Sequence, residues 1–326
     1  MLKALYYKNG TPHHEVTTEA EVAGLLAAGE GMIWVDLEAP SDVERGILER
    51  VFKFHKLAIE NAMTLSNHPR IEDYGDYLYL VVHGVTSTGS GGLSGESRIS
   101  MQEIDIFLGE RYVITYHAGT DRSIDSVRKK CTQYDLLMSR GPDRVLAEIL
   151  DHLAEEYVDV MEKLDDEIDG LEDRLFKHAS RPALREIFSL KKDVLHLRRV
   201  VNPQREVLNR LARSEHKAVS KEETIYFRDV YDHLYRVSEM LESFRDVLAG
   251  ALEVYLTVVA NRTNDVMKVL TVFSIIIMSA SFVAGLYGMN VPVPGADSKV
   301  SFWLLLLGMT AISLVLLMFF RRRRWI

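Results

Sequence analysis

The sequence predicts an α+β domain, then long helices, then a C-terminal two-helix transmembrane hairpin. Three observations predict it. Strand-like runs cluster early, and no strand-like run follows them. Two uncharged apolar segments, 269–289 and 301–320, flank one short connection near the end. Each has about the ~20 residues a helix needs to cross a bilayer. Arg321, Arg322, Arg323, Arg324, Trp325 and Ile326 follow the second segment.

The elements follow in order. Residues 1–120 form the α/β domain. Met1 to Tyr7 reads as a first strand, with no charged start before an apolar core of the kind a secretory leader has. Residues 33–37 are a short strand. Ser41-Asp42-Val43-Glu44 is a capping box opening a helix through about His55. Residues 77–82 are a strand, and the Gly/Ser run 87–97 is a loop. Residues 104–108 and 112–116 form a hairpin around Gly109-Glu110. His13-His14 reads as an exposed turn pair.

Residues 121–222 form a helical domain. Gly141-Pro142 breaks it before a long helix, 143–178. Ser180-Arg181-Pro182 starts the next, with proline in the first turn where its missing N–H costs nothing. That helix runs to about Ser214, bent at Pro203. After a polar connection at 216–220 comes a stalk helix, 223–268, which continues as the first span, 269–289. With no proline or loop cluster from Glu223 to Gly288, the helix is roughly 100 Å long at ~1.5 Å per residue. Such a length needs packing partners, because propensity alone does not hold it. An external loop, 290–300, joins it to the second span, 301–320, and residues 321–326 form a basic tail.

The formal charge is −8, carried despite the four terminal arginines, and mean hydropathy is −0.03. An acidic body of this kind repels nucleic acid and attracts cations. The single cysteine, Cys131, excludes an internal disulfide framework and suits a reducing compartment. The arginine tail and Lys268 place both ends of the hairpin, and so both termini, in the cytoplasm of a cell-membrane (inner-membrane) protein. The helix 143–178 is crowded with acids from Glu155 to Asp173, around a 3/4-spaced stripe of Leu153, Tyr157, Val160, Leu164, Ile168, Leu171 and Leu175. The acids read either as the solvated face of a helical hairpin or as a reservoir that concentrates cations.

Lipid-facing helices are apolar all round, so polar and small residues mark a buried side. At ~100° per residue, Asn264, Met267, Leu270, Thr271, Ser274, Met278, Ser281, Gly285 and Gly288 fall within one arc of roughly 100°. Val269, Phe273, Ile276, Ala280, Val283 and Tyr287 occupy the other side. The wheel alone leaves a pore lining and a close helix–helix contact equally open. Two helices enclose no pore, so a pore requires an oligomer.

The run from Asn264 to Thr271, then Phe282-Val283-Ala284-Gly285-Leu286-Tyr287-Gly288-Met289-Asn290, a second span and a basic end with Trp325 closely resemble the CorA family of magnesium channels. Leu197-Arg198-Arg199 with Pro203 and Arg205 resembles that family's helical domain, as does the run from Asp165 to Glu172. The resemblance implies a funnel-shaped homopentamer in the lipid bilayer. It implies Tyr287, Gly288, Met289 and Asn290 at an outer selectivity filter for divalent cations. It implies apolar gates at Met267, Leu270 and Met278, a polar ring at Asn264, and an acidic ring at Glu253. It also aligns Asp229 with one ligand of a cytoplasmic Mg²⁺ sensor. The facing ligand is expected after the strand 77–82, where residues 83–89 carry no carboxylate; Glu96, Glu103 or Asp105 folding back is the alternative. The outer loop has Asp297 as its only acid, offset by Lys299, where the family commonly has an acidic loop.

The expected function is passive uptake of divalent cations, Mg²⁺ foremost and Co²⁺ or Ni²⁺ with it. Mg²⁺ is substrate and regulatory ligand, and no cofactor is expected. A zinc or other transition-metal transporter of the same superfamily is the alternative, against which Met289 argues, since the zinc branch tends to carry Val there. No Cys/His cluster supports a soft-metal site. A non-conducting membrane-anchored sensor or scaffold is the reading from another class, and it has no need of the polar arc. No phosphate loop couples ATP, and no nucleophile–base–acid set points to an enzyme.

Overall fold

The computed structural model describes residues 1–8, 14–65, 68–88, 97–177, 180–289, 299–323 and 325. They divide into two compact units, Met1–Ala251 and Leu252–Ile326.

The first unit opens with β1 (Leu2–Tyr7), β2 (His14–Val16), α1 (Glu19–Ala27), β3 (Met32–Glu38), α2 (Asp42–Arg45), α3 (Ile47–Arg50) and α4 (Lys56–Met63). It continues with β4 (Arg70–Asp73), β5 (Tyr77–Ser87), β6 (Ile99–Gly109) and β7 (Tyr112–His117). These strands form one sheet in the order β2-β1-β3-β7-β6-β5-β4. Only β3 and β7 pair in parallel. The α+β reading therefore holds. The expected hairpin is β6–β7, with Leu108 opposite Val113. His13 lies outside the described residues, and His14 opens β2 rather than a turn.

The helix expected from Ser41 to His55 is broken. The capping box is present, but α2 ends at Arg45 and α3 at Arg50. Lys53 takes a left-handed φ of 55°, which stops the helix. The turn sends Phe54 into the core, where its ring stacks on Phe107 at 4.4 Å. Burial of that ring outweighs continuation of a short exposed helix.

Alternation along the pleat sends Tyr77, Tyr79 and Val81 toward α1, α3 and α4, in one core with Val22, Ile47, Leu48 and Ala58. The opposite face packs against α5 (Arg122–Gln133), α7 (Pro142–Lys177) and α8 (Arg181–Ala212), with the short α6 (Asp135–Ser139) beside them. Gly141, at φ +122°, makes the expected break before α7. Ser180 caps α8, and Pro203 lies within it. The apolar stripe of α7 is buried from Leu153 to Leu175, while Glu155, Asp159, Glu162, Asp165, Asp166, Asp169 and Asp173 are exposed.

Two polar devices lock these layers together. Arg98, just before β6, contacts Glu167 of α7 at 2.6 Å, and Ser189 and Asp193 of α8 at 3.0 and 3.4 Å. The second device concerns β5, which outruns its neighbour: β4 pairs only as far as Val81. Beyond it, the His83 N–H donates to Gln204 Oε1 at 2.8 Å. The His83 carbonyl accepts from Gln204 Nε2 at 3.2 Å and Tyr157 OH at 3.1 Å. The buried Gln204 amide thus stands in for a missing strand.

The final long helix is α9 (Thr224–Tyr287), 64 residues without interruption. Within the first unit it buries Phe227, Val230, Leu234, Val237, Leu241, Phe244 and Leu248. Arg198 pairs with its Glu242, and Arg205 donates to its Ser238 at 3.2 Å. The second unit holds the rest of α9 and α10 (Lys299–Arg322), both long and apolar enough to cross a membrane.

Gln204→Leu keeps the volume but strands the His83 N–H, while the His83 carbonyl keeps the Tyr157 hydroxyl. The expected loss is about 1–3 kcal/mol for each buried group left unpaired. It is checked by thermal unfolding of the purified full chain; an unchanged midpoint would show that the amide is dispensable.

Candidate functional site

The polar arc lies on the second-unit part of α9. Asn264, Met267, Leu270, Ser274, Met278, Ser281, Gly285 and Gly288 are exposed, and Thr271 is half-buried. The three gate candidates are all well exposed, Met267 at 55%, Leu270 at 58% and Met278 at 66%. Covered positions lie elsewhere on the helix. Val272 is buried, and Ile275, Ile276, Ser279, Ala280 and Val283 are half-buried. At ~100° per residue this covered stripe is centred nearly opposite the arc. On α10 the less exposed positions are Ser301, Leu305, Gly308, Met309, Ser313, Leu316 and Phe320, a single 3/4-spaced stripe. Each helix of the hairpin therefore covers one side, and the arc of α9 is on its uncovered side.

Hydroxyls along both helices turn back on their own backbone. Thr271 donates to the Met267 carbonyl at 2.7 Å, Ser274 to Leu270 at 2.9 Å and Ser279 to Ile275 at 2.8 Å. Thr310 and Ser313 do the same on α10. The proton is used within the helix, which leaves oxygen lone pairs facing outward. At the other end of the arc, Lys268 pairs with Asp265 at 2.8 Å, and Trp325 shares a hollow with Asn261, Asn264, Asp265, Lys268 and Thr271.

Tyr287 is the last residue of α9. The Gly288 N–H still bonds the Ala284 carbonyl at 2.9 Å, and Met289 is exposed. Asn290 and the loop through Ser298 lie outside the described residues. Glu253 is exposed in the second unit.

Asp229 is exposed on the first-unit part of α9. Two of the acids offered as its partner are occupied. Asp105 is buried and accepts from Tyr79 OH at 2.5 Å, and burial raises its carboxyl to about 8. Glu103 is buried 3.4 Å from His83 Nε2. Both sit inside the sheet because β6 points them at the α1–α4 side. Glu96 lies outside the described residues. Among the described residues, no three His, Cys, Asp or Glu side chains converge on a metal.

Sequence reasoning did not find the buried Asp36, which accepts from Thr115 at 2.7 Å and His117 at 2.9 Å and also meets Arg128. Burial opposes its charge, but the hydrogen bonds and charges of His117 and Arg128 hold its carboxyl below the ordinary value. The signal was faint: four residues, from two strands and a helix.

Compared with known families, residues 29–322 match the family described as CorA-like Mg²⁺ transporter protein. The chain belongs to the CorA family. YfjQ of Bacillus subtilis is 30% identical over 316 residues, covering 97% of this chain and 96% of that protein. The cobalt/magnesium transport protein CorA of Thermotoga maritima is 30% identical, covering 86% of this chain and 80% of its own length. Among solved structures, the complete CorA magnesium transporter of Methanocaldococcus jannaschii superposes with a TM-score of 0.85 at 22% identity, covering 100% of this chain and 99% of that one. CorA membership makes this chain a divalent-cation transporter rather than an enzyme.

The arc gives an accessibility test in membranes. Cys131 is buried, and burial pushes its thiol up to about 12, so it stays unreactive. Ser274→Cys and Ser281→Cys are expected to react with a hydrophilic thiol reagent at least ~10-fold faster than Ile276→Cys on the covered stripe. Equal rates would reject the arc as a water-facing surface.

Proposed function

We propose that the chain conducts Mg²⁺ passively into the cytoplasm through a pore enclosed by the α9 helices of several copies, five by the family resemblance. The observation that carries this reading is the position of the polar arc, on the side of α9 that the hairpin leaves uncovered. A hydrated ion needs acceptors that hold water without stripping it. Mg²⁺ loses its water reluctantly, and hydroxyl oxygens, glycine backbone and the Asn290 amide are neutral donors of that kind. Neutral ligands also bind weakly enough for the ion to leave. The driving force is the membrane potential, ~4.6 kcal/mol for a divalent ion per 100 mV. Co²⁺ enters as a second substrate through the cobalt/magnesium transport proteins among the relatives. The arginine tail and Lys268 support cytoplasmic termini in a cell membrane.

Leu270 and Met278, with Met267, are the bulky apolar groups on this arc and form the gate, closing by dewetting. Asn264 forms the polar ring at the inner mouth and Glu253 an acidic one below it. Asp229 is a regulatory Mg²⁺ ligand of low affinity, because Glu103 and Asp105 are buried inside the sheet and ligand charge tunes such sites.

Asn290→Ala is expected to reduce Mg²⁺ flux in proteoliposomes to background while assembly, read by size-exclusion chromatography, is retained. Wild-type flux in an assembled variant would sink the selectivity ring. Leu270→Ser or Met278→Ser is expected to wet the gate and raise leak severalfold at high internal Mg²⁺. If both variants close as tightly as wild type, the gate lies elsewhere on α9.

A further inference from the structure

The two helices of the α7–α8 hairpin carry opposite charge on their outer faces. On α7, Glu162, Asp166, Asp169 and Asp173 are exposed at 3/4 spacing. On α8, Arg185, Phe188, Lys192, Leu195 and Arg199 are exposed at the same spacing. At ~100° per residue each stripe lies opposite the side its own helix buries, Leu164, Ile168 and Leu171 on α7 and Ile187, Leu190 and Val194 on α8. The two stripes therefore do not meet within one chain.

Neither stripe is neutralised. None of its charged side chains forms an ion pair among the described residues. The ion pairs of the hairpin go to other positions: Glu167 with Arg98, Arg174 with Glu186 and Arg198 with Glu242. Lys163 is exposed beside the acids and leaves them in excess. Like charges three and four residues apart on a helix repel, so each stripe destabilises its own helix until opposite charge covers it. Phe188 and Leu195, 55% and 47% exposed, add apolar surface that a merely solvated face does not require.

The hairpin also fixes levels. Arg174 meets Glu186, and Arg98 reaches both Glu167 and Asp193. On this antiparallel register Asp173 is level with Arg185, Asp169 with Lys192 and Glu162 with Arg199, to within about two residues. The exposed Glu155 and Glu206 are level further from the turn, which confines the charge match to the end near it.

We infer that the acidic stripe of α7 docks on the basic stripe of α8 in a neighbouring copy of this chain. The inference rests on the reading that several copies enclose the pore, and it names a contact between them. Two different surfaces meet, so the contact is head-to-tail, and a rotation that closes turns it into a ring. A rotation axis parallel to the helices leaves every residue at its level. The pairs that are level in one hairpin are then the pairs that meet between copies. A second copy is the occupant because it supplies both faces at once; an anionic lipid surface or an acidic protein would cover α8 and leave the acids of α7 bare. Surface ion pairs are individually weak and screened by salt, so the contact sets which faces meet rather than whether copies assemble.

The experiment uses full-length chains in native membranes, where the buried Cys131 stays silent. Asp169→Cys and Lys192→Cys are placed in separate copies with different tags and co-expressed, so a disulfide joining both tags forms only between copies. Under copper–phenanthroline oxidation this pair is expected to cross-link at least ~10-fold faster than Asp159→Cys with Arg185→Cys, a pair about 24 Å out of register at ~1.5 Å per residue. Raising salt from about 0.1 M to about 1 M shortens the screening length from ~10 Å to ~3 Å and is expected to slow the reaction at least ~3-fold. Glu162→Arg added to the Asp169→Cys copy is expected to slow it similarly, and Arg199→Glu in the Lys192→Cys copy to restore it. Equal rates for the two cysteine pairs, in chains that run as oligomers on size-exclusion chromatography in mild detergent, would overturn this contact and leave the pore reading standing. Chains that run as single copies would overturn both. Cross-linking that neither salt nor Glu162→Arg slows would rule out charge as its basis.

Discussion

A polar group inside hydrocarbon has no water to bond, and this constraint shapes the second unit. Only a helix satisfies every peptide group within its own segment. The hydroxyls of Thr271, Ser274, Ser279, Thr310 and Ser313 follow the same rule by donating to the carbonyl four residues back. Satisfying the donor does not exhaust the oxygen. The helix therefore carries acceptors on its surface at little cost. An unmatched carboxylate on the same helix would carry a far larger desolvation cost and would hold a divalent ion too tightly to pass it on.

In the first unit the same desolvation penalty is met differently from site to site. Asp36 is surrounded by Thr115, His117 and Arg128, and its charged form is favoured despite burial. Arg98 is held by Glu167, Ser189 and Asp193, so its charge fixes α7 and α8 against the sheet. Asp105 has the Tyr79 hydroxyl and the more distant charge of Arg70, and burial still raises its carboxyl to about 8. Glu156 is half-buried, and burial and then the charge of Asp121 push its carboxyl up to about 7. Paired buried charges build the fold, while a carboxyl buried without a close cation rises toward its neutral form.

The acidic helix shows both uses side by side. Its stripe from Leu153 to Leu175 is buried, and most of the acids between are exposed, as a solvated helix face has them. Glu167 and Glu156 depart from that pattern, one paired with Arg98 and the other turned toward Asp121. Composition treats all of these carboxylates alike, yet three-dimensional position assigns them different work.

The sequence by itself determined whatever depends on local pattern and chain length. The apolar runs are as long as a bilayer is thick. The caps at Ser41 and Ser180, the proline after Ser180, the Gly109-Glu110 turn and the unbroken α9 each rest on neighbouring residues, and each is present. β2 and β4 were not legible, because short edge strands have too few residues for a period to show. The helix predicted past Arg50 failed because Phe54 gains more in a core built from distant strands. Tertiary structure alone decided which side of α9 is covered, that β5 outruns β4 and borrows Gln204, and that Glu103 and Asp105 are spent inside the sheet. It alone brought Asp36, Thr115, His117 and Arg128 together from two strands and a helix. Such meetings depend on packing between segments far apart in sequence, and no local pattern records them.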